Sequence, residues 1–414
     1  MHLGPILRAM KHNRTRVTLL VLEIAMTLAI VTNCVNVIIA ERAKMSRPSG
    51  FDDDNILWVR ARPFTLDYRE DAFVNTRIDA DLRSLQSIPG VKAVANSSLQ
   101  LWEGSVTSTS IKPAGTSQPP IGTQTYWSTK GIIDTLGVKI VEGRGFIEGD
   151  HNVGPENDVP RVVVISQTLA GALFPKGGAL GKAIVMTQAD GKPVAEPQTV
   201  VGVFDTFFNP TGSSPESWGG IADRAMFVPS RVGGYGYGVR YLVRTEPGEM
   251  GTVMPKIEQA LLQGDSRRVI DFEPAPEKKA QWFAGARLTV FVMSALIVVL
   301  VFVTALGILG ITALSVSERT KQIGTRRALG ATRSDILRHF MMENWLTTTA
   351  GIVAGVIGAY ALNFLLVSKL TDVKMPWELV ASGVVLLWIN GLVATLPPAL
   401  RAARVPPSIA TRSV

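Results

Sequence analysis

The chain has 414 residues, a net charge of +8 and a pI near 9.6, yet 46% of its residues are hydrophobic and only 18% are charged. A positive mean hydropathy, with the apolar residues gathered in long runs, excludes an ordinary soluble globule. The single cysteine, Cys34, excludes a disulfide-stapled domain. The placement of the positive charge, traced below, excludes nucleic acid as its reason.

Four runs reach the roughly 20 apolar residues that a membrane helix needs. They are Val17–Ile39, Leu288–Ser315, Trp345–Val367 and Leu379–Leu396, the last being the shortest and holding Asn390. Each inner flank is basic: Arg8, Lys11, Arg14 and Arg16 before the first run, and Arg401, Arg404 and Arg412 after the fourth. Six Lys/Arg from Arg319 to Arg338 join the second run to the third. Short basic loops stay in the cytoplasm, so both termini are expected inside. Residues 41–282 hold 26 Lys/Arg against 28 Asp/Glu, which leaves the excess charge at the membrane face.

A cleaved signal peptide competes for the first run. Its length, the interruption by Glu23 and the lack of a small-x-small site favour an anchor that stays. Within it, Glu23, Asn33 and Asn36 suit a dimer partner, but for Glu23, seven residues from Arg16, snorkelling to the interface is the easier reading. Gly351 and Gly355 (GIVAG) offer a small-residue packing face on the third run; ordinary tolerance of glycine in membrane helices is the alternative.

The outer segment reads as mixed α/β. The pattern predicts a helix over Phe73–Leu85, a turn at IPG (88–90) and strands at Val91–Ala95, Arg161–Ser166, Ala183–Met186, Thr199–Val203, Met226–Pro229 and Tyr241–Arg244. Glycine-rich stretches at Gly212–Gly220 and 233–238 read as loops. GGALGKA (177–183) is one residue short of a phosphate-binding loop and has Ala183 in place of the magnesium-holding hydroxyl, so it reads as a turn. Asp52–Asp54 reads as a solvated acidic loop rather than a cation site. The four histidines show no ligand spacing, and no nucleophile motif occurs, so neither metal site nor enzyme is expected.

ERTKQIGTRRALGATRSDILRHF (318–340) lies between two apolar runs. A short helix to about Leu329 with Gly330 as its stop, then Thr332 and Asp335 as a capping box, predicts a helical hairpin at the lipid surface. It is expected to project Arg319, Lys321, Arg326 and Arg327 into the cytoplasm. Attraction to anionic lipid explains the charge but not the capped helix.

Blocks 126–150 (YWSTKGIIDTLGVKIVEGRGFIEGD), 162–186 and 199–206 resemble the MacB-type periplasmic core domain. Residues 318–344 resemble the FtsX-like permease signature, with a Phe-x-x-Glu element at Phe340–Glu343, departing at Gln322 and Thr325. PALRAARVPP (398–407) is similar to that family's C-terminal element, and residues 3–16 to its amphipathic lead-in helix. The chain is thus identified as resembling a mechanotransmitting ABC permease of the MacB/FtsX type.

The fold class expected is a membrane α-helical protein with four transmembrane helices and a large extracytoplasmic mixed α/β domain between helices 1 and 2. Its plan is 1–16 cytoplasmic amphipathic helix, 17–40 first membrane helix, 41–282 periplasmic domain, 283–317 second membrane helix and 318–343 coupling hairpin. Then follow 344–368 third membrane helix, 369–378 short periplasmic loop, 379–398 fourth membrane helix and 399–414 cytoplasmic tail.

The resemblance also implies partners. MacB has its ATPase fused ahead of the first membrane helix; only 16 residues stand there in this sequence, so a separate ATPase subunit carrying ATP and Mg is expected, with no cofactor on this chain. A dimer with a second copy or a paralogue follows, in the bacterial inner membrane. The residues expected to couple to the ATPase are Glu318, Arg319, Lys321, Ile323, Gly324, Arg326, Arg327, Leu329 and Gly330. The large outer domain favours export of a periplasmic substrate, with an adaptor and an outer-membrane duct, over regulation of a cell-wall hydrolase; between export and lipoprotein release the sequence decides little.

Overall fold

The structure, a computed structural model, describes residues 14–103, 107–150, 161–188, 191–210, 221–234, 236, 238–367 and 375–406. Most of the expected lead-in helix, the loop 212–220 and most of the short loop 369–378 lie outside the described residues. The chain divides into a unit of residues 47–284 and a unit made of the residues up to Ser46 together with those from Gly285 onward.

In the second of these, four helices are long and apolar enough to span a membrane: Arg14–Ser46, Ala284–Glu318, Arg333–Leu362 with a π-helical extension Asn363–Val367, and Trp377–Ala403. The third helix begins at Arg333, eleven residues before its expected start, and two C-terminal ends lie five or more residues beyond their expected positions. The first helix continues past residue 40 because Glu41 and Lys44, one turn apart, form an ion pair at 2.9 Å, and it stops just before Pro48. The fourth continues past residue 398, through Pro397 and Pro398, because Ala399, Ala402 and Ala403 beyond them are buried.

Glycine sets how closely these helices approach. A Cβ on Gly351 would lie 2.7 Å from Ile24 Cβ, and one on Gly355 2.9 Å from Leu28 Cβ, so the third helix meets the first backbone to backbone. A Cβ on Gly383 of the fourth helix would lie 2.7 Å from Thr32 Cγ2, so side chains of the first helix fill the space that this glycine leaves. Leu20, Ile24, Leu28, Ile308, Ile352 and Leu387 form the shared core. The second helix gives this core little; it buries Thr304, Ile308 and Thr312, while Leu288, Phe291, Val298 and Phe302 are exposed.

The polar residues of the first helix do not face outward as expected. Asn33 is buried and donates to the Ala359 carbonyl at 3.1 Å, and Asn36 is buried too. A polar side chain in hydrocarbon gains most from a nearby backbone carbonyl, and the third helix supplies one. Glu23 does not snorkel free of the bundle: its carboxylate lies where a Cβ on Gly307 of the second helix would stand, 2.4 Å from Oε2.

The inserted unit holds two sheets. Strands β1 (Ile56–Pro63), β2 (Val91–Asn96), β10 (Val239–Thr245) and β11 (Arg268–Pro274) form an antiparallel sheet in the order β11-β1-β10-β2. Helices Asp71–Gln86 and Met250–Gly264 cover one face, burying Val74, Ile78 and Leu85 with Val253, Ile257 and Leu261. Both helical sets recur at spacings of four or seven residues, the stripe a helix needs to lie on a sheet. The second sheet runs β5-β8-β6-β9-β4-β3-β7, from β3 (Ser108–Pro113), β4 (Ile121–Ser128), β5 (Ile140–Gly143), β6 (Val162–Ser166), β7 (Ala183–Thr187), β8 (Gln198–Phe204) and β9 (Ala225–Pro229). β7 also pairs with β8, so the ladder closes on itself.

Asp52–Asp54 is not the solvated acidic loop expected from the sequence. Asp53 is buried and accepts from Ser49 Oγ at 2.6 Å, Trp102 Nε1 at 2.9 Å and Lys279 Nζ at 2.8 Å, while Asp52 pairs with Arg244 at 2.7 Å. Only Asp54 is exposed; the carboxylates brace the domain because cationic and indole donors from distant segments converge on them. Residues 177–183 form a turn with Gly177, Gly178 and Gly181 at positive φ. Among the described residues no group of His, Cys, Asp or Glu could hold a metal ion. A cleft of about 1230 Å³ opens between helix Asp71–Gln86 with β2 on one side and the segment around Ile133 on the other.

Candidate coupling hairpin

Helix Thr320–Ala328 follows the second membrane helix almost without a break. Its end is dictated by local chemistry. Gly330 takes φ +101, its N–H donates to the Arg327 carbonyl at 3.2 Å, and the Ala331 N–H donates to the Arg326 carbonyl at 3.0 Å. This is the paired 5→2 and 6→1 closure of a Schellman stop, which favours a residue without a Cβ at Gly330. Two residues later Thr332 restarts the chain. Its hydroxyl accepts from Asp335 N at 3.2 Å, and Asp335 Oδ2 accepts from Thr332 N at 3.0 Å, a complete capping box.

The hairpin is seated by apolar contact. Ile323, 5% exposed, clusters with Ile336 and Phe340 of the third membrane helix and with Ala399 and Ala402 of the fourth. Three polar ties surround that seat. Arg16 of the first helix forms a two-pronged pair with Glu318 at 2.6 and 2.8 Å. Arg319 pairs with Glu343 at 3.0 Å. Arg327 Nη1 donates to the carbonyls of Val405 at 2.5 Å and Ala403 at 3.3 Å, closing the end of the fourth helix, where a cation suits the exposed carbonyls.

The nine residues expected to couple therefore separate into two sets. Glu318, Arg319, Ile323, Gly324 and Arg327 are engaged in or buried against the membrane unit itself; Arg319 and Arg327 do not project outward as expected. A guanidinium gains more from a held carboxylate or a pair of helix-end carbonyls than from water. Lys321, Arg326, Leu329 and Gly330 are exposed, and Leu329 is 84% exposed despite being apolar. Sequence reasoning passed over Arg16, Glu343 and the Ala403 and Val405 carbonyls as parts of this site. Glu343 had a signal in the Phe-x-x-Glu element; backbone carbonyls carry none.

Four membrane helices, a large two-sheet domain inserted after the first and a capped basic hairpin between the second and third define a polytopic permease with an extracytoplasmic domain. The MacB-like periplasmic core domain matches residues 18–260, and the FtsX-like permease C-terminal domain matches residues 294–407. The chain belongs to the MacB/FtsX-like family of ABC transporter permeases, and its inserted unit is a MacB-like periplasmic domain.

The macrolide export ATP-binding/permease protein MacB of Azoarcus sp. (strain BH72) is 28% identical over 98% of this chain and 58% of its own length. MacB of Hahella chejuensis is 26% identical over 81% of this chain and 48% of its own. The chain thus spans about half the length of these MacB relatives. The ABC transporter permease YvrN of Bacillus subtilis is 26% identical over 70% of both chains. Among solved structures, the periplasmic region of MacB from Actinobacillus actinomycetemcomitans is 16% identical, with a TM-score of 0.35 over 57% of this chain and 97% of that one.

Proposed function

We propose that this permease transmits the motion of a separate cytoplasmic ATPase, which carries the ATP and Mg, to its periplasmic domain. The observation that carries the reading is the hairpin: one apolar seat holds it to the bundle while Lys321, Arg326 and Leu329 are left exposed. An exposed leucine flanked by cations suits an apolar pocket with an acidic rim on a partner. The basic inner flanks support both termini in the cytoplasm and the hairpin on the same side of the inner membrane. Assembly with a second copy or a paralogue is supported by the second membrane helix, whose apolar surface is mostly uncovered; lipid covers what the partner does not.

Kinship with MacB favours export of a periplasmic substrate, with an adaptor and outer-membrane duct, over lipoprotein release or control of a cell-wall hydrolase. The test is recovery of an ABC-type ATPase with tagged permease from native membranes. Arg326→Glu replaces an exposed attraction with a repulsion, so recovery is expected to fall about tenfold, with insertion intact. Stoichiometric ATP turnover by the purified chain, with no ATPase present, would refute the separate-subunit reading.

A further inference from the structure

A second feature lies on the antiparallel sheet of the periplasmic domain, away from the face that its two helices cover. Arg60 on β1 and Arg240 on β10 are direct cross-strand partners. Like charges so placed repel, and a sheet gains nothing from them on its own account. Both guanidiniums lean on the Trp58 indole, with Cζ 5.5 and 5.7 Å from the ring centroid. Burial, and then Arg60, lower the pKa of Arg240 from its ordinary value.

The carboxylates around this pair lie closer to other cations, although Glu103 and Glu273 still act on Arg240 through space. Asp271, across the sheet from Arg60, is taken by Arg62 at 2.6 and 3.0 Å. Glu273 lies 4.0 Å from Arg60 but 2.8 Å from Lys278, which also holds Glu103 at 2.8 Å. Arg240 has the Gln100 carboxamide oxygen at 2.8 Å when that amide is turned to face it, a neutral partner. Three cations thus face two carboxylates. Among the described residues, buried Arg60 Nε, Arg240 Nε and Trp58 Nε1 have no hydrogen-bond acceptor, Glu273 Oε2 is in ion-pair contact with Lys278 but makes no hydrogen bond, and Trp58 is only 5% exposed. A buried donor without an acceptor is costly, and three in one cluster with one uncompensated positive charge call for one small anion.

We infer that Arg60, Arg240 and Trp58 form a binding site for a small oxyanion, a carboxylate or a phosphate. Two guanidinium forks and an indole N–H match the lone pairs of such a group. The Arg60 side chain is 28% exposed, and its long contact with Glu273 is the weakest tie in the cluster, so its rotation is the way in. The site is independent of the coupling hairpin and of the proposed transport role.

The experiment is thermal unfolding of the full-length permease at constant ionic strength, with sodium chloride replaced stepwise by sodium phosphate or sodium acetate. Arg240→Met keeps a stem against Trp58 and removes the repulsion. Wild type is expected to gain a saturable upward shift in one of the two anions, and the stronger response assigns phosphate or carboxylate. Arg240→Met is expected to unfold at a higher temperature than wild type in chloride and to lose the anion shift. No shift in wild type, or the same shift in Arg240→Met, overturns the site, the latter because it is then a general salt effect. Should Arg240→Met fail to fold, Arg60→Lys keeps the charge without the fork and is expected to weaken the response at least about tenfold; an unchanged response overturns the site equally.

Discussion

Ile323→Ala is the most direct perturbation of the hairpin as a lever. The side chain is almost fully buried against Ile336, Phe340, Ala399 and Ala402, and the substitution removes three carbons from that seat. In packed cores the loss runs to about 2–5 kcal/mol, larger where the site cannot collapse. A nine-residue helix at a surface can partly settle, so the low end, about 2 kcal/mol, is appropriate. That makes local opening about 30-fold more frequent. Hydrogen exchange of the reconstituted permease reads it at the amides of Leu329, Gly330 and Ala331, which close the helix end. Exchange there should quicken about 30-fold while amides of the third membrane helix near Gly351 stay unchanged. Stimulation of the ATPase should fall more than its docking, because the contact surface remains and only its seat has loosened. Unchanged exchange at these amides would mean that the apolar seat does not hold the hairpin.

Gly330→Val puts a branched side chain at φ +101, so helix Thr320–Ala328 should lose its stop; coupling should fall with docking largely kept, read as ATPase stimulation against co-purification. Gly351→Leu drives a side chain into Ile24 and the Val21 carbonyl; a loss of about 1–3 kcal/mol in denaturant unfolding of the membrane unit is expected, and no loss would mean the first and third helices do not meet there. Burial pushes the Tyr68 hydroxyl up to about 12, against an ordinary value of 10.0. The folded state therefore holds that proton longer than the unfolded chain, so this contribution to stability is intact below pH 10 and fades as pH rises towards 12. Tyr68→Phe should flatten the decline over that window in unfolding midpoints of the permease.

The membrane helices and the hairpin were legible because their signals are local. Apolar length marks a span, Gly330 a helix stop, and Thr332 with Asp335 a helix start, each within a few residues. In the periplasmic domain six strands, Val162–Ser166 among them, were legible too, each within two residues of its observed bounds, whereas Ile56–Pro63, Ile140–Gly143 and Arg268–Pro274 were missed. Ser108–Pro113 and Ile121–Ser128 were not legible either, since they are rich in Ser, Thr and Gln and owe their strand state to pairing with each other and with β7 and β9. Helix Met250–Gly264 was hidden by Gly251 and Pro255; what makes it helical is the face Val253, Ile257 and Leu261 against the sheet. The fates of Arg319 and Arg327 were not legible, because their partners lie on other helices. A basic run looks the same whether its charges meet solvent or a carbonyl far along the chain.

The three polar ties of the hairpin reach three different helices, and their strengths differ in a way that matters for a lever. The Arg16–Glu318 pair is 37% and 45% exposed, so water competes for both ends and it contributes little to stability. Arg319–Glu343, at 18% and 17%, is better shielded, and Arg327 holds two carbonyls at the end of the fourth helix. Rigidity therefore comes from Ile323 and its neighbours, and the charged groups set orientation around that seat. Under the proposed coupling role, a push on Leu329 or Arg326 would pass through Ile323 to the third and fourth helices, against which it packs. The first helix follows because Gly351 and Gly355 leave no slack between it and the third. The second helix, which runs almost without a break into the hairpin, is the least buried of the four.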